Sequence, residues 1–404
     1  MRKIKSLTDF ADSFYSNKRV FIRVDFNVKM VDGRIIEDYR IRSTMSTIEF
    51  LVKRGAKVIL ASHLDRPKGR DLKYSLYPVS KKLSEILSPF NIPVHFSDDC
   101  ISKGASEKIE DLNNGEVLLL ENLRFYSQEE ENDEDFSKKL ASYADIYVND
   151  AFSTSHRKHS STYGAVRFFD TKIAGFNVAK EIEYLSLLRD NPPKPFKLVI
   201  GGVKIKDKIG ALNNLLPKAT KVLIGGAASY TFLKANGYSI GNSLIDEDHL
   251  SWASKALDKY KDKIILPIDH KVAYTEESTE YKIVEENIPP NMKGFDIGDK
   301  TVQKFIMEIH NNGLGTIFWN GPMGFFEKEL FSHSTKNIAM SMALAYWRGV
   351  KTLVGGGDTL AAMKDSGVSE SEVTHVSTGG GASLRFLAGD EMPGIDILNQ
   401  TSID

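Results

Sequence analysis

Short β-branched runs alternate with amphipathic helical stretches along almost the whole chain, and this alternation most limits the folds open to it. Strands linked through helices build parallel sheets whose two faces are both covered. In the first half the runs are RVFIRVDF (19–26), AKVILAS (56–62), IPVHF (92–96), EVLLLE (116–121) and DIYVND (145–150). A second series comprises KLVIGG (197–202), KVLIGG (221–226), KIILPID (263–269), GTIFWNG (315–321), KTLVGG (351–356) and THVSTG (374–379). Between them RDNPPKPF (189–196) carries three prolines, which end the preceding helical stretch. The pattern predicts an α/β protein of two doubly wound, parallel-sheet (Rossmann-like) domains facing a central cleft, joined by a helix and a hinge near residues 170–195. The expected boundaries are 1–175 and 176–390, the latter including an interdomain helix over 176–190.

A length of 404 residues suits two domains, and no fixed-period repeat interrupts them. Lys and Arg total 53 against 54 acidic residues, so bulk charge gives no support for a nucleic-acid or anionic-membrane partner. Any anion site must be local. The one cysteine, Cys100, excludes an intramolecular disulfide framework and reads as a small loop or core residue. No signal-peptide apolar core and no apolar run long enough to span a bilayer is visible, so a cytoplasmic protein is expected. The acidic run QEEENDEDF (128–136) reads as a solvated loop leading into a helix.

Ligands of open α/β sheets bind beyond the carboxyl ends of the strands, where this chain concentrates unusual residues. In the first half they are polar and basic: Asp25 and Asn27, Arg40 at the first helix, His63 and Arg66, Arg124, and His156, Arg157 and His159. Cations converging on one sheet edge repel unless an anion sits among them, so a small multiply charged anion is implied. In the second half the same places carry glycine: Gly201 and Gly202, Gly225 and Gly226, NGPMG (320–324), and triplets from Gly355 and Gly379. Such turns suggest a flat ligand pressed against backbone, its phosphates at helix N-termini: a nucleotide. Lys204 and Lys208 stand four apart at an expected helix start and can both reach phosphate oxygens. Asp358 can cap its helix or hold Mg2+. No G-x-x-x-x-G-K-[ST] is present, and GLGTIF from Gly313 lacks a third glycine, so an ordinary P-loop enzyme or dehydrogenase is not indicated. His156 and His159 have metal-like spacing, but without surrounding carboxylates or thiols they read as a phosphate-facing basic loop.

Together RVDFNV, SHLDRP, ENLRF, DAFSTSHR, GGVKIKDKI, IFWNGPMGFFE, VGGGDT and HVSTGGGASL, in this order from residue 23 to residue 384, resemble the phosphoglycerate kinase family. The resemblance implies phosphoryl transfer from 1,3-bisphosphoglycerate to Mg-ADP, giving 3-phosphoglycerate and ATP in glycolysis, by a monomer. It implies a substrate site of Arg23, Asp25, Asn27, Arg40, His63, Arg66, Arg124 and Arg157. The implied nucleotide site is Lys204, Lys208, Gly225, Asn320, Glu327 at the ribose, Gly356, Gly357, Asp358 and Thr359, with Mg2+ beside Asp358. Arg40, Lys204 and the helix start at Gly380 are the implied catalytic groups. Residues 391–404 are implied to pack back on the first domain. The chain departs from the family pattern at Lys29, Asp65, Ser153 and Ala227, where proline or glycine is usual. Asp65 is expected to weaken the hold of Arg66 on phosphate, while aspartate still tolerates left-handed backbone geometry.

Such a transfer needs no general base, because a carboxylate nucleophile with a pKa of about 4 is already ionised near neutrality. Domain closure is expected to align the ligands and expel water. Two rival readings are a catalytically weakened nucleotide-binding protein of the same fold and an added scaffold role; retention of Arg40 and Lys204 argues against the first, and no tail, repeat or charged arm supports the second.

Overall fold

A computed structural model of the chain describes residues 4–311 and 313–400. Their contacts divide them into two units, one running to Ile182 and resuming at Glu391, the other spanning Glu183–Asp390. The division falls inside the helix Phe176–Asp190 rather than before it. The start of that helix is tied to the first unit, where the buried Asp150 carboxylate accepts from the Asn177 N–H at 2.8 Å.

The first unit contains β1 (Arg19–Val24), β2 (Met30–Val31), β3 (Arg34–Ile35), β4 (Lys57–Ala61), β5 (Val94–Ser97), β6 (Val117–Leu120), β7 (Ile146–Asp150) and β8 (Thr171–Ala174). A parallel sheet runs in the order β5-β6-β4-β1-β7-β8, and β2 and β3 form a separate hairpin. Helices cover both sheet faces, so the central strands are unbroken apolar runs: Val20, Phe21 and Ile22 of β1 and Val58, Ile59 and Leu60 of β4 are fully buried. Each such side chain contributes about 1.5–3 kcal/mol by leaving water. β8 was not expected, because Lys172 interrupts its apolar pattern. Its buried ammonium donates to the Gln400 carbonyl at 3.1 Å, which makes a lysine tolerable there. The segment after Glu391 is also held by Gly394, whose N–H donates to Ser155 and whose carbonyl accepts from the Asn149 amide, both at 2.8 Å. Residues 1–3 and 401–404 of the expected boundaries lie outside the described residues.

The acidic run is no simple solvated loop. Asp133 caps the helix Glu134–Ala141, accepting from the Phe136 N–H at 2.8 Å, and Glu129 is buried.

The second unit contains β9 (Phe196–Ile200), β10 (Lys221–Ile224), β11 (Ile264–Ile265), β12 (Asp269–Ala273), β13 (Lys282–Glu285), β14 (Lys293–Ile297), β15 (Thr316–Asn320), β16 (Lys351–Gly355) and β17 (His375–Ser377). Its parallel sheet runs β11-β10-β9-β15-β16-β17, and β13-β12-β14 form a small antiparallel sheet. The run 263–269, expected as one strand, is divided between the two sheets. Pro267 has no N–H for a ladder, and Asp269 turns its carboxylate to the helix Asp299–His310, accepting from the Thr301 N–H at 2.8 Å. Strand order reverses between β1 and β7 in the first sheet and between β9 and β15 in the second, so loops diverge there and open a crevice in each unit.

Candidate functional site

Because the strands are parallel, the loops after β1, β4, β6 and β7 share one edge of the first sheet. Past β1, the Asp25 carboxylate accepts from the Asn27 N–H at 3.1 Å, pairs with the Arg40 guanidinium and accepts from the Ser153 hydroxyl. The Asn27 side-chain oxygen accepts from the Asp65 N–H at 2.8 Å. Asp65 has φ +56°, so the aspartate keeps the left-handed turn, and its carbonyl accepts from Arg124 Nη1 at 2.6 Å. The Arg66 side chain is exposed, as is Lys29.

Asn122, passed over in the sequence although it sits in ENLRF, ties two of these loops together. Its Oδ1 accepts from the N–H groups of Leu64 (3.2 Å) and Arg124 (3.1 Å), and its Nδ2 donates to the carbonyls of Leu64 (2.8 Å) and Tyr74 (2.9 Å). An asparagine immediately beyond a buried strand was the available signal.

Arg124 is only 5 % exposed, yet among the described residues its Nη2 has no hydrogen-bond partner, and its Nε stands 3.2 Å from the Glu130 carboxylate. Burial pulls its pKa down to about 10; the Glu130 carboxylate works against that shift, and the charges of Arg23 and Arg157 add to it. Burial, followed by the charges of Arg23, Arg124, Arg40 and Arg157, holds His63 well below the usual imidazole range. His159 is pushed down to about 3 by burial and then by Arg23, Arg124 and Arg157. Both rings are therefore neutral near pH 7. Arg23 itself stands behind His63, buried in β1, where its Nε donates to Ser161 and one Nη to the Val24 carbonyl. The edge thus carries four guanidiniums that repel one another and an unsatisfied buried donor, an arrangement that an anion with several oxygens relieves.

In the second unit a cavity of about 260 Å³ is lined in part by Gly202, Gly226, Phe295, Phe326, Glu327 and Asp358. The two phenylalanines supply an apolar wall of the kind a planar ring system covers, and neither was singled out in the sequence. The glycines divide into two classes. A Cβ on Gly201 would stand 2.2 Å from the Pro322 carbonyl oxygen, and one on Gly225 would stand 2.7 Å from the Met323 sulfur. These glycines let neighbouring loops touch each other rather than a ligand. Around Gly357, Gly380 and Gly381 a Cβ would meet nothing within 4 Å, so these members of the two triplets leave open space where Gly201 and Gly225 do not. Gly356 and Gly380, with φ of +99° and +55°, are the N-caps of the helices Gly357–Asp365 and Gly381–Ala388, whose first N–H groups lack intrahelical acceptors.

Asn320 ends β15 and donates to the Gly355 carbonyl at 2.8 Å; the Thr359 hydroxyl donates to the same carbonyl and accepts from the Gly321 N–H at 2.7 Å. Both brace the first triplet. Asp358 lies inside the helix and is exposed, so it does not cap it. Lys204 lies before the helical turn Lys206–Lys208, so the four-residue spacing does not place it and Lys208 on one helix face. Lys204 is exposed; Lys208 is part-buried, and burial lowers its pKa. Ala227, with φ −62°, needs no glycine.

A family model described as phosphoglycerate kinase matches residues 10–390. The phosphoglycerate kinase of Anaeromyxobacter dehalogenans is 46 % identical over 389 residues, covering 94 % of this chain and 96 % of that one. That of Borrelia hermsii is 46 % identical over 403 residues, covering 98 % and 100 %. The solved phosphoglycerate kinase of Coxiella burnetii superposes with a TM-score of 0.85 at 36 % identity, covering 98 % of this chain and 99 % of that one, and that of Pyrococcus horikoshii with 0.83 at 33 %, covering 98 % of each. Similarity that runs nearly end to end, in a chain with a cation-lined edge and a glycine-lined cavity, places it in the phosphoglycerate kinase family.

Proposed function

We propose that the chain catalyses the reversible transfer of a phosphoryl group between the acyl phosphate of 1,3-bisphosphoglycerate and Mg-ADP, giving 3-phosphoglycerate and Mg-ATP. The observation that carries this reading is the buried, incompletely satisfied Arg124 amid the Arg23, Arg40 and Arg157 charges, which calls for a phosphorylated acid rather than a neutral substrate. In the ATP-consuming direction a carboxylate oxygen attacks the γ-phosphorus, the bond to the β,γ-bridging oxygen breaks, and ADP leaves. No proton has to move. The protein's task is to align two anions and stabilise charge on the group in transit.

In this reading Asp25, Asn27, His63, Arg66, Arg124 and Arg157 hold the three-carbon acid, with Arg23 acting from behind His63. Lys208, Asn320, Gly225, Gly356, Gly357 and Thr359 form or brace the nucleotide slot, and Glu327 meets the ribose. Arg40, Lys204 and N–H groups at the start of the helix opening at Gly380 meet the equatorial oxygens. Among the described residues no group of three or more His, Cys, Asp or Glu is placed to hold a metal. One exposed carboxylate, Asp358, nevertheless suits Mg2+, which is held by one or two carboxylates together with substrate phosphates and retains several waters. Bound magnesium would neutralise phosphate charge. Both sets of residues come from one chain, so a monomer suffices, and glycolytic substrates place it in the cytoplasm. Among the described residues no helix is long and apolar enough to cross a membrane.

A coupled assay of ATP formation from 1,3-bisphosphoglycerate and ADP tests the reading. Activity is expected with Mg2+ and its loss on chelation; no ATP with Mg2+ present leaves only the nucleotide-binding reading. Replacing Glu327 by alanine is expected to raise the nucleotide KM by about fivefold, the worth of one hydrogen bond, with little change in kcat. A fall in kcat at unchanged KM would remove Glu327 from the ribose.

A further inference from the structure

Glu129 is the one carboxylate of its acidic run that the first unit buries: it is 1 % exposed, whereas its neighbours Glu130 and Glu131 face solvent. Both of its oxygens are used by one residue. Oε2 accepts from the Ser161 N–H at 2.9 Å and Oε1 from the Ser161 hydroxyl at 2.5 Å. The same hydroxyl oxygen accepts from Arg23 Nε at 2.8 Å, and Arg23 Nη2 stands 3.1 Å from His63 Nδ1. Tyr147 fixes the far side of Ser161 by donating to its carbonyl at 2.9 Å. These contacts form an unbroken path from the buried carboxylate to the histidine at the cationic edge.

Donor and acceptor roles along this path are forced. A guanidinium has only N–H groups and stays protonated, so His63 Nδ1 has to be the acceptor, and the single proton of the neutral ring then lies on Nε2. A second proton on the ring would face Arg23 directly, with Arg124, Arg40 and Arg157 close by. Arg23 in turn is an interior cation, and an interior cation without a counter-charge is strongly unfavourable. Glu129 is the carboxylate that balances it, through a serine and from behind, where it cannot compete with an incoming anion as a carboxylate at the surface would.

We propose that Glu129 is a positioning residue for phosphoryl transfer: relayed by Ser161, it balances the charge of Arg23 and holds it in place, and so fixes His63 as the Nε2–H tautomer that donates to an oxygen of the three-carbon acid. The proposal rests on the assignment of His63 to that acid. It assigns the buried end of a run that looks like solvated charge to control of one ring nitrogen.

The test is a nitrogen-15 spectrum of the histidine side chains in the full chain, with His63 identified by the signals lost in His63→Gln. The wild type is expected to show Nδ1 bare and Nε2 protonated between roughly pH 6 and 8, the range in which an ordinary histidine titrates. Glu129→Gln keeps the size and an acceptor for the Ser161 N–H but removes the charge. It is expected to mix the tautomers of His63 and to raise the KM for 3-phosphoglycerate by about tenfold, as loss of a charge-assisted hydrogen bond does, leaving the KM for Mg-ATP within about twofold. Ser161→Ala breaks the same path elsewhere, is expected to change the His63 signals in the same way, and serves if the glutamine variant fails to fold. A wild-type His63 that carries its proton on Nδ1, or is doubly protonated at neutral pH, overturns the relay without any variant. An active wild type whose His63 signals and acid KM are unmoved in the variants also overturns it. An inactive wild type would instead sink the reaction assigned above, and the spectrum would still decide the tautomer.

Discussion

Replacing Arg40 by alanine is expected to lower kcat by about two orders of magnitude or more, with the nucleotide KM little changed. The transferring group carries its charge on equatorial oxygens, and a donor already aimed at them costs no reorganisation when they pass, so deleting one such donor typically costs about 100- to 1,000-fold. Arg40 is suited to this role. It lies on the short helix Tyr39–Ser43, its side chain is about one-third exposed, and it is oriented by its ion pair with Asp25. Burial lowers its pKa, yet a guanidinium remains charged throughout the physiological range. Arg40→Lys, which keeps the charge and loses the planar fork, is expected to fall between alanine and the wild type. Steady-state kinetics with both substrates varied checks this, alongside thermal unfolding to confirm an intact first unit. Turnover within a few-fold of wild type in the alanine variant would remove Arg40 from contact with the group in transit.

The glycines predict a second large contrast, in stability rather than rate. Gly321→Ala is expected to destabilise the second unit by about 3 kcal/mol or more, because a left-handed backbone and a steric clash coincide there. Its φ is +98°, and a Cβ would stand 2.3 Å from the carbonyl carbon and oxygen of Gly201. Neither is the far end of a flexible chain, so the loops after β9 and β15 would have to separate. Gly357→Ala should do the opposite. No atom lies within 4 Å of its Cβ position, and it begins a helix, where alanine is favoured by up to about 1 kcal/mol. Unfolding is therefore expected at an unchanged or slightly higher temperature, while the nucleotide KM rises by about tenfold if phosphates approach that backbone. Calorimetry and nucleotide titration of the two variants separate the effects. A stable Gly321→Ala protein would show that the two strand ends are not in contact, and an unchanged nucleotide KM in Gly357→Ala would move the phosphates elsewhere.

Much of the fold was legible along the chain because a parallel strand covered on both faces has to be an apolar run, whatever packs on it. RVFIRV, KVILA and FKLVI show themselves in this way. The elements that escaped notice break that rule. β8 contains a lysine whose ammonium donates to the carbonyl of Gln400, far along the chain. β12 to β14 make a sheet in which β13 is largely exposed, so little apolar signal was available. The candidate site was legible for a related reason: side chains just past parallel strands share an edge, so a census of strand ends finds Asp25, His63, Arg124 and Arg157 together before their distances are known.

What the linear order of residues determined by itself was the succession of strands and helices, the charge gathered at one set of strand ends and the glycine gathered at the other, since these depend only on side-chain chemistry and local periodicity. Only the tertiary structure decided depth and partnership. Arg23, expected among the substrate ligands, and Glu129, in a run that reads as solvated, are interior partners through Ser161, and glycines that read alike proved to serve either loop-to-loop packing or open space. Burial and contact depend on residues brought together from distant parts of the chain, and no local pattern records which neighbour a side chain will meet.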